Sequence, residues 1–577
     1  MTTADKQIIR SPLPEISPAL PDTLHPVLQR VYALRNLSSK KELDLGLGGL
    51  LPPAELGGTE AAAALLFETL AQEGRILIVA DFDADGATSC ALAIRALKAM
   101  GAKVVDYLVP NRFEYGYGLT PEIVVEAEKR APDLLVTVDN GISSIEGVAV
   151  AKAAGMRVLV TDHHLPGDQL PDADVIVNPN APGETFSSKN LAGVGVIFYV
   201  MVALRALLRR NGWFNRQGLK EPNLGDYLDL VALGTVADVV PLDHNNRILV
   251  QQGLQRIRSG NSCCGIKALF ERAGRNSQQV VASDLGFAIG PRLNAAGRLD
   301  DMSLGIEALL SNDAASAYSL AKELDALNSE RRTIESEMRQ QAAELLQHLS
   351  LEGDLPFGLA LYQEEWHQGV VGILAARIKE RYHRPVIAFA LAEPGVIKGS
   401  ARSIPGLHIR DTLDAVATGN PGLFDKFGGH AMAAGLTIRL DLLGEFSRLF
   451  DIEVRKRIGE DALKEWVCSD GTLEEGELTM DLAQQLRAGG PWGQGFPEPL
   501  FDGWFQIINQ RVVGDRHLKL VLQPEGGATL FDAIAFNQAA IPAAVERERI
   551  HAAYRLDINE FRGARNLQLI IEHLESR

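Results

Sequence analysis

From residue 76 the chain repeats a two-part pattern, a short apolar run followed by an amphipathic helical stretch. ILIVA precedes SCALAIRALKAM, KVVDYLV precedes PEIVVEAEKR, DLLVTVD precedes SIEGVAVAKAAG, and RVLVTD is followed by DVIVN. Runs this rich in Val, Ile and Leu read as strands buried on both faces, and helices between them make the strands parallel. The pattern constrains this part of the chain to an α/β, doubly wound parallel sheet. In such sheets ligands bind beyond the carboxyl ends of the strands.

That rule sorts the acidic residues. Asp81, Asp83 and Asp85 of DFDADG follow the first run, Asp139 ends DLLVTVDNG, and Asp162, His163 and His164 end RVLVTDHH. Asp238 sits among apolar residues in ALGTVADVVPL, where an unpaired carboxylate is costly. Aspartates spaced two apart repel one another unless something positive lies between them. An EF-hand loop also begins D-x-D-x-D-G, but it needs a preceding helix and a Glu at its twelfth position, which here is Leu92 after a strand-like run. A helix-capping Asp with surface histidines would explain any one of these segments alone. Four separate segments supplying ligands of one class point instead to shared metal. Carboxylates favour Mg²⁺ or Mn²⁺ and imidazole tilts the choice toward Mn²⁺, so a two-metal site is expected. Two such ions about 3.5 to 4 Å apart polarise a phosphoryl oxygen and acidify a water, which is the chemistry of phosphoester hydrolysis.

The 577 residues exceed a single core. Residues 1–45 carry Pro12, Pro14, Pro18, Pro21 and Pro26 and read as an extended arm. The catalytic α/β domain is expected over 46–300. One long connecting helix, or two, is expected over 301–352 from Leu320, Leu324, Leu327, Ile334, Met338, Leu345 and Leu349 at helical steps. A second α/β domain is expected over 353–460, and the short β-type runs of 461–577 suggest a small barrel. With 46% hydrophobic residues, no apolar run of about 18 and no signal-peptide core, the chain is expected to be soluble and cytoplasmic, with no membrane partner. Cys90, Cys263, Cys264 and Cys468 lack C-x-x-C spacing and read as reduced thiols. A net charge of −17 argues against a nucleic-acid coat protein but leaves room for a nuclease with a local basic path.

DFDADG, VDNG, TDHH and GTVADVVPL resemble the successive motifs of the DHH phosphoesterase superfamily. GPRLNAAGRL (290–299), GSARS (399–403) and FGGHAMAAG (427–435) resemble those of the RecJ single-strand-specific 5′ exonucleases. The resemblance runs from about residue 50 to 450, with an OB-like region beyond it. It implies a DHH domain, a DHHA1-like domain and an OB-like barrel. Asp83, Asp85, Asp139, His163 and Asp238 then look like metal ligands, while Asp81, Asp162 and His164 complete or orient the shell and His164 touches the scissile phosphate. Smaller superfamily members carry a His four residues before the first shared Asp, where this chain has Val79, and Asp81 stands nearby instead. Arg292, Asn294 and Arg298 would hydrogen-bond phosphate, with a structural salt bridge as the competing account of Arg292. Ser400, Arg402 and His430, beside the glycines of GSARS and FGGH, would hold a nucleotide. The stretch WHQGVVGILAARI opens either an anion-facing helix or a packed one.

The implied activity is hydrolysis of single-stranded DNA from its 5′ end to mononucleotides in recombination and repair. Mn²⁺ or Mg²⁺ would be the cofactor, single-stranded DNA-binding protein a partner, and the chain a monomer. Trp492, Phe496, Phe501, Trp504 and Phe505 could be core residues, with one or two stacking on bases, and Arg511, Arg516, His517 and Lys519 could meet phosphates or solvent. DADGAT also resembles the start of a haloacid-dehalogenase-type phosphatase, but that chemistry has no use for a DHH pair. A non-catalytic single-strand-binding scaffold would be expected to have lost ligands, and every matched position is kept.

Overall fold

The computed structural model describes residues 6–14, 20–111, 118–352, 355–424, 426–514, 516–538, 549–561 and 563–576. A first strand, β1 (Lys6–Arg10), lies outside the main sheet. The main sheet comprises β2 (Arg75–Ala80), β3 (Val104–Leu108), β4 (Leu134–Val138), β5 (Arg157–Thr161) and β6 (Val175–Val177). All are parallel, in the order β3-β2-β4-β5-β6. Leu77, Val79, Leu135, Val158 and Val160 pack on one face against helices Pro121–Glu128 and Ile145–Ala153. Ile76, Ile78, Leu134, Val136 and Leu159, which alternate with them, are buried as well. Helix Ala84–Ala99 packs on β2 and on helices Gly193–Arg210 and Leu228–Ala237, which explains its run of small residues. The chain steps from β2 outward to β3 and then returns to the other side of β2 with β4. This reversal opens a crevice at the carboxyl ends of β2 and β4, where a doubly wound sheet places its ligand.

The described residues divide into two units, one of Pro12–Asn328 with Thr479–Pro499, the other of Met1–Ser11, Ser329–Leu478 and Leu500–Arg577. The second unit contains β7 (Leu359–Tyr362), β8 (Val386–Glu393), β9 (Val396–Arg402), β10 (Lys426–Gly429) and β11 (Ala433–Arg439) in the order β10-β11-β9-β8-β7. Phe389 and Ile397 of this sheet bury against Phe446 and Phe450 of helix Leu443–Arg457. In the same unit β12 (Glu465–Ser469) pairs in parallel with β1. Strands β13 (Phe501–Val513), β14 (His517–Pro524), β15 (Phe531–Ala535), β16 (Arg549–Phe561) and β17 (Ala564–Ser576) close a five-stranded barrel of OB type, ordered β13-β14-β15-β17-β16.

One expectation about organisation needs correction, and two gain detail. The arm over 1–45 is not simply extended, because Pro26–Leu34 is a helix. Pro26 sits at its first turn, where a missing N–H costs nothing, and His25 caps it by accepting from the Val27 N–H at 3.2 Å. Residues 461–577 contain the expected barrel, together with one segment that groups elsewhere. Thr479–Pro499 belongs with the parallel-sheet unit, where the Tyr32 hydroxyl donates to the Gly489 carbonyl at 2.9 Å. The connecting region 301–352 is a short helix, Ser303–Leu310, followed by a long one, Ala314–Glu352. The four cysteines are free, and no helix among the described residues is long and apolar enough to cross a membrane.

Candidate metal centre

The chain leaves β2 at Ala80 and turns directly into helix Ala84–Ala99, so the DFDADG residues fall at a strand end and a helix start together. Asp83 is the helix cap, with Oδ1 accepting from the N–H groups of Asp85 at 2.9 Å and Gly86 at 3.1 Å. A Cβ on Gly86 would come within 2.4 Å of the Asp81 carbonyl, so the tight turn requires glycine. Asp139 follows β4 with φ 62°, a strained backbone for a residue with a side chain. Asp238 caps the carboxyl end of helix Leu228–Ala237.

These elements bring together all five expected ligands, and Asp81 and His164 with them. Ligand atoms of Asp85, His163 and Asp238 lie within 4.8 Å of one another, and so do those of Asp81, Asp83 and Asp139. These two triads share no residue, and a third, Asp139, His163 and His164, bridges them. His163 Nε2 stands 3.1 Å from Asp139 Oδ1 and 3.5 Å from Asp238 Oδ2.

The electrostatics show what the cluster lacks. Burial and the Asp83 charge raise Asp85 to about 7, although it accepts from the N–H groups of Gly193 at 2.6 Å and Val194 at 3.0 Å. Burial, then Asp85 and Asp83, push both Asp139 and Asp238 well above the carboxylate range. Burial and the neighbouring His164 lower His163 to about 4, leaving its imidazole neutral and able to ligate. Carboxylates packed this closely disfavour one another's ionisation unless a cation lies between them, and a neutral imidazole among carboxylates is the donor set of a hard divalent metal.

Asp162 has a different role. Its Oδ1 accepts from the His163 N–H at 2.7 Å and meets His164 Nδ1 at 2.7 Å, while Oδ2 accepts from the Ile142 N–H at 2.9 Å. Burial alone would raise its pKa, but the His164 contact and these N–H bonds carry it below the ordinary value. Burial would likewise lower His164, yet the hydrogen bond and charge of Asp162, with Asp81 and Asp238, bring it up to about 9. Asp162 therefore orients a cationic His164. Asn180 and Asn178 fix the same segment by donating to the carbonyls of His163 at 2.7 Å and His164 at 2.9 Å.

The residues expected to contact DNA divide. Asn294 Oδ1 accepts from the Ala84 N–H at 2.7 Å, so it braces the aspartate turn. Its helix, Gly290–Leu299, presses so closely on that turn that a Cβ on Gly297 would meet the Phe82 carbonyl at 1.8 Å. Arg292 donates from Nε to Asp325 Oδ1 at 2.9 Å and from Nη1 to the Ala288 carbonyl at 2.5 Å. The salt-bridge account of Arg292 thus fits better than the phosphate contact. Arg298 is half-buried on the same helix.

In the second unit Ser400 and Arg402 lie on β9, and Arg402 Nη1 donates to Ser400 Oγ at 3.2 Å and the Ala401 carbonyl at 2.8 Å. Burial lowers the Arg402 pKa, and no carboxylate pairs with it among the described residues. Gly372, in the first turn of helix Val371–Tyr382, approaches the pair, since its Cβ would lie 3.1 Å from Ser400 Oγ and 3.2 Å from Arg402 Nη2. His430 is exposed and follows Gly429, whose φ is 143°. The five aromatic residues are occupied within the protein. Phe496, Phe501 and Phe505 are buried, and Trp492 stacks on Phe496 at 5.0 Å. Trp504 has His551 stacked at 4.7 Å and the Arg549 guanidinium 4.1 Å above its ring.

Sequence reasoning missed the start of helix Gly193–Arg210, whose N–H groups hold Asp85. The paired glycines of NLAGVGVIF were the available signal. Carboxylates that keep their protons until a cation arrives, beside an oriented histidine at the switch point of a parallel sheet, are the equipment of a metal-dependent phosphoesterase.

The family models agree in detail. The DHH family N-terminal domain matches residues 75–235, the DHHA1 domain residues 356–456, and the RecJ OB domain residues 469–573. The single-stranded-DNA-specific exonuclease RecJ of Dickeya dadantii is 56% identical over 571 residues, covering 98% of this chain and 99% of that protein. The crystal structure of RecJ in complex with Mn²⁺ from Thermus thermophilus matches with a TM-score of 0.79 at 31% identity, over 99% of this chain and 79% of that one. The Mg²⁺ complex from the same organism matches at 0.73 and 29% identity, over 99% and 78%. This chain belongs to the RecJ family of single-stranded-DNA-specific exonucleases.

Proposed function

We propose that this protein is a Mn²⁺- or Mg²⁺-dependent exonuclease that hydrolyses single-stranded DNA from its 5′ end to mononucleotides, in recombination and repair. The observation that carries the reading is the pair of non-overlapping ligand triads, Asp85, His163, Asp238 and Asp81, Asp83, Asp139. Two divalent ions held there would polarise the phosphoryl oxygen and supply a nucleophilic water. The protein's own part is to place and charge its groups. The helix start at Gly193 and Val194 orients Asp85, and Asn294 and Asp83 hold the aspartate turn. Asp162 keeps a proton on His164, which offers it to the scissile phosphate. Arg402 and Ser400, a half-buried cation without a carboxylate beside a helix start, support a phosphate contact, with His430 and Arg298 as further contacts. The family resemblance supports 5′ polarity, action as a monomer in the cytoplasm, and single-stranded DNA-binding protein as a partner.

The test is degradation of oligonucleotides labelled at the 5′ or the 3′ end, single- and double-stranded, with Mn²⁺, Mg²⁺ or EDTA. The 5′ label should leave first as a mononucleotide, from the single strand, and EDTA should stop the reaction. First release of the 3′ label would overturn the polarity, and equal attack on duplex the specificity.

A further inference from the structure

Among the exposed large apolar side chains of the described residues, two directly follow candidate metal ligands in the chain and a third lies on a segment packed beside the helix that ends in one of them. Leu165 directly follows His164 and is 58% exposed, and Val239 directly follows Asp238 and is 61% exposed. Phe287, at 86%, is the most exposed of the large hydrophobic residues described. Its segment runs beside the helix that ends in Asp238. A Cβ on Gly286 would lie 3.3 Å from Val236 Cγ1, and one on Gly290 3.1 Å from Ala237 Cβ.

Two backbone irregularities coincide with this rim. Val239 has φ 62°, a conformation that a β-branched residue adopts only when its surroundings impose it. Phe287 lies in a π-helical turn, Leu285–Ile289, and such turns re-aim side chains at functional sites. Leaving a Phe almost wholly in water forgoes the stabilisation that burying it would bring. Both departures from ordinary folding flank one ligand, Asp238.

We infer that Leu165, Val239 and Phe287 form an apolar rim that receives an unpaired nucleobase next to the scissile phosphodiester, with Phe287 as its stacking platform. The inference rests on the reading of single-stranded DNA as substrate and adds a source of strand selection to it. A base in a single strand has a π-face to give to an aromatic ring, whereas in a duplex both faces are already covered by neighbouring pairs. The rim therefore reads whether a base is unstacked, and it is indifferent to which base it is.

The experiment compares binding of a thymidine oligonucleotide with that of the same strand carrying abasic sites at its first four 5′ positions, with Ca²⁺ in place of the active metal. Fluorescence anisotropy is measured for wild type, Phe287→Ala and Phe287→Trp. Wild type should prefer the base-bearing strand, and Phe287→Ala should lose about 5- to 150-fold of that preference, the range expected for one stacked base. Phe287→Trp should retain it. Melting curves should not differ, since the residue is exposed. An unchanged preference in Phe287→Ala, or an equal loss of affinity for both strands, overturns the inference. Failure of wild type to degrade the intact oligonucleotide would instead count against the reading of the substrate.

Discussion

Gly193→Ala offers a sharp test of how the metal centre is built, because one methyl group would press directly on Asp139. The added Cβ would lie 2.6 Å from Asp139 Cβ, 2.8 Å from Cγ and 2.7 Å from Oδ1. Carbon atoms rest about 3.5 to 4 Å apart, so something must move by about 1 Å. Asp139 has little freedom to yield. It is 1% exposed, its φ of 62° is already unusual, and its N–H donates to the Thr161 carbonyl at 3.1 Å. Movement of Gly193 itself would pull its N–H away from Asp85, now at 2.6 Å. Either response displaces a ligand by a distance that costs catalysis about 100-fold. Overpacking adds about 1 to 3 kcal/mol of destabilisation, against a gain of at most about 1 kcal/mol in helix propensity. Gly195→Ala is the control, because its Cβ would meet the flexible end of Leu191 at 3.0 Å. The assay is kcat/KM on a labelled single strand across a Mn²⁺ titration, with a melting curve for each protein. If Gly193→Ala keeps activity within about threefold of wild type at the same Mn²⁺ requirement, the contact does not position Asp139 and the argument is wrong.

Other perturbations follow from the same geometry. Asp139→Asn should abolish hydrolysis yet raise the melting temperature of the metal-free protein, because it removes one of several mutually repelling buried carboxyls; a folded variant with wild-type activity would exclude Asp139 as a ligand. Asp85 rises from 3.8 to about 7, so its contribution to metal-free stability is complete below about pH 4 and is lost as pH climbs through about 7. Mn²⁺ binding should correspondingly weaken below about pH 7 and release protons, and calorimetry at pH 6.5 in two buffers of different ionisation enthalpy would expose the error if no proton were released. Arg292→Ala and Asp325→Ala should each lower stability and fail to add when combined, with a coupling of about 1.5 to 3 kcal/mol; additive losses would break the proposed pair. Arg402→Ala should raise KM for DNA without lowering the melting temperature, since a partly desolvated cation lacking a carboxylate adds little stability, and the reverse outcome would make Arg402 a structural residue.

The candidate metal ligands were legible in the sequence because a parallel sheet delivers the residues after each strand to one edge. Asp83, Asp85 and Asp139 needed only that rule and Asp238 the cost of an apolar setting, whereas the choice of His163 from the DHH pair came from the family resemblance. What escaped was long-range. Nothing local says that Arg292 is claimed by Asp325, or that the amide of Asn294 serves Ala84 across 210 positions. The donors for Asp85 belong to a helix start more than a hundred residues away, with only small residues to mark it. Pro26 misled because a proline is a breaker inside a helix and a starter at its first turn, and composition cannot tell the two apart. The aromatic cluster was legible as mostly core, but not the partner of each exposed ring, because stacking on an arginine or histidine and stacking on a base ask for the same residue.

The discontinuous make-up of both units bears on how the chain is born. Strand β1 emerges from the ribosome long before its pairing partner, since Lys6 bonds Glu465 across 459 positions. At about 5 to 20 residues per second, that strand waits roughly 20 to 90 s with an unpaired edge. The unit that carries the metal centre waits as well, because Trp492 and Phe496, which stack against Tyr32, are translated late. Neither unit can close during most of translation. A ribosome stalled before Thr479 would hold a metal-bearing unit without its last helix, so the nuclease is delayed in completing itself until nearly all of its chain has been made.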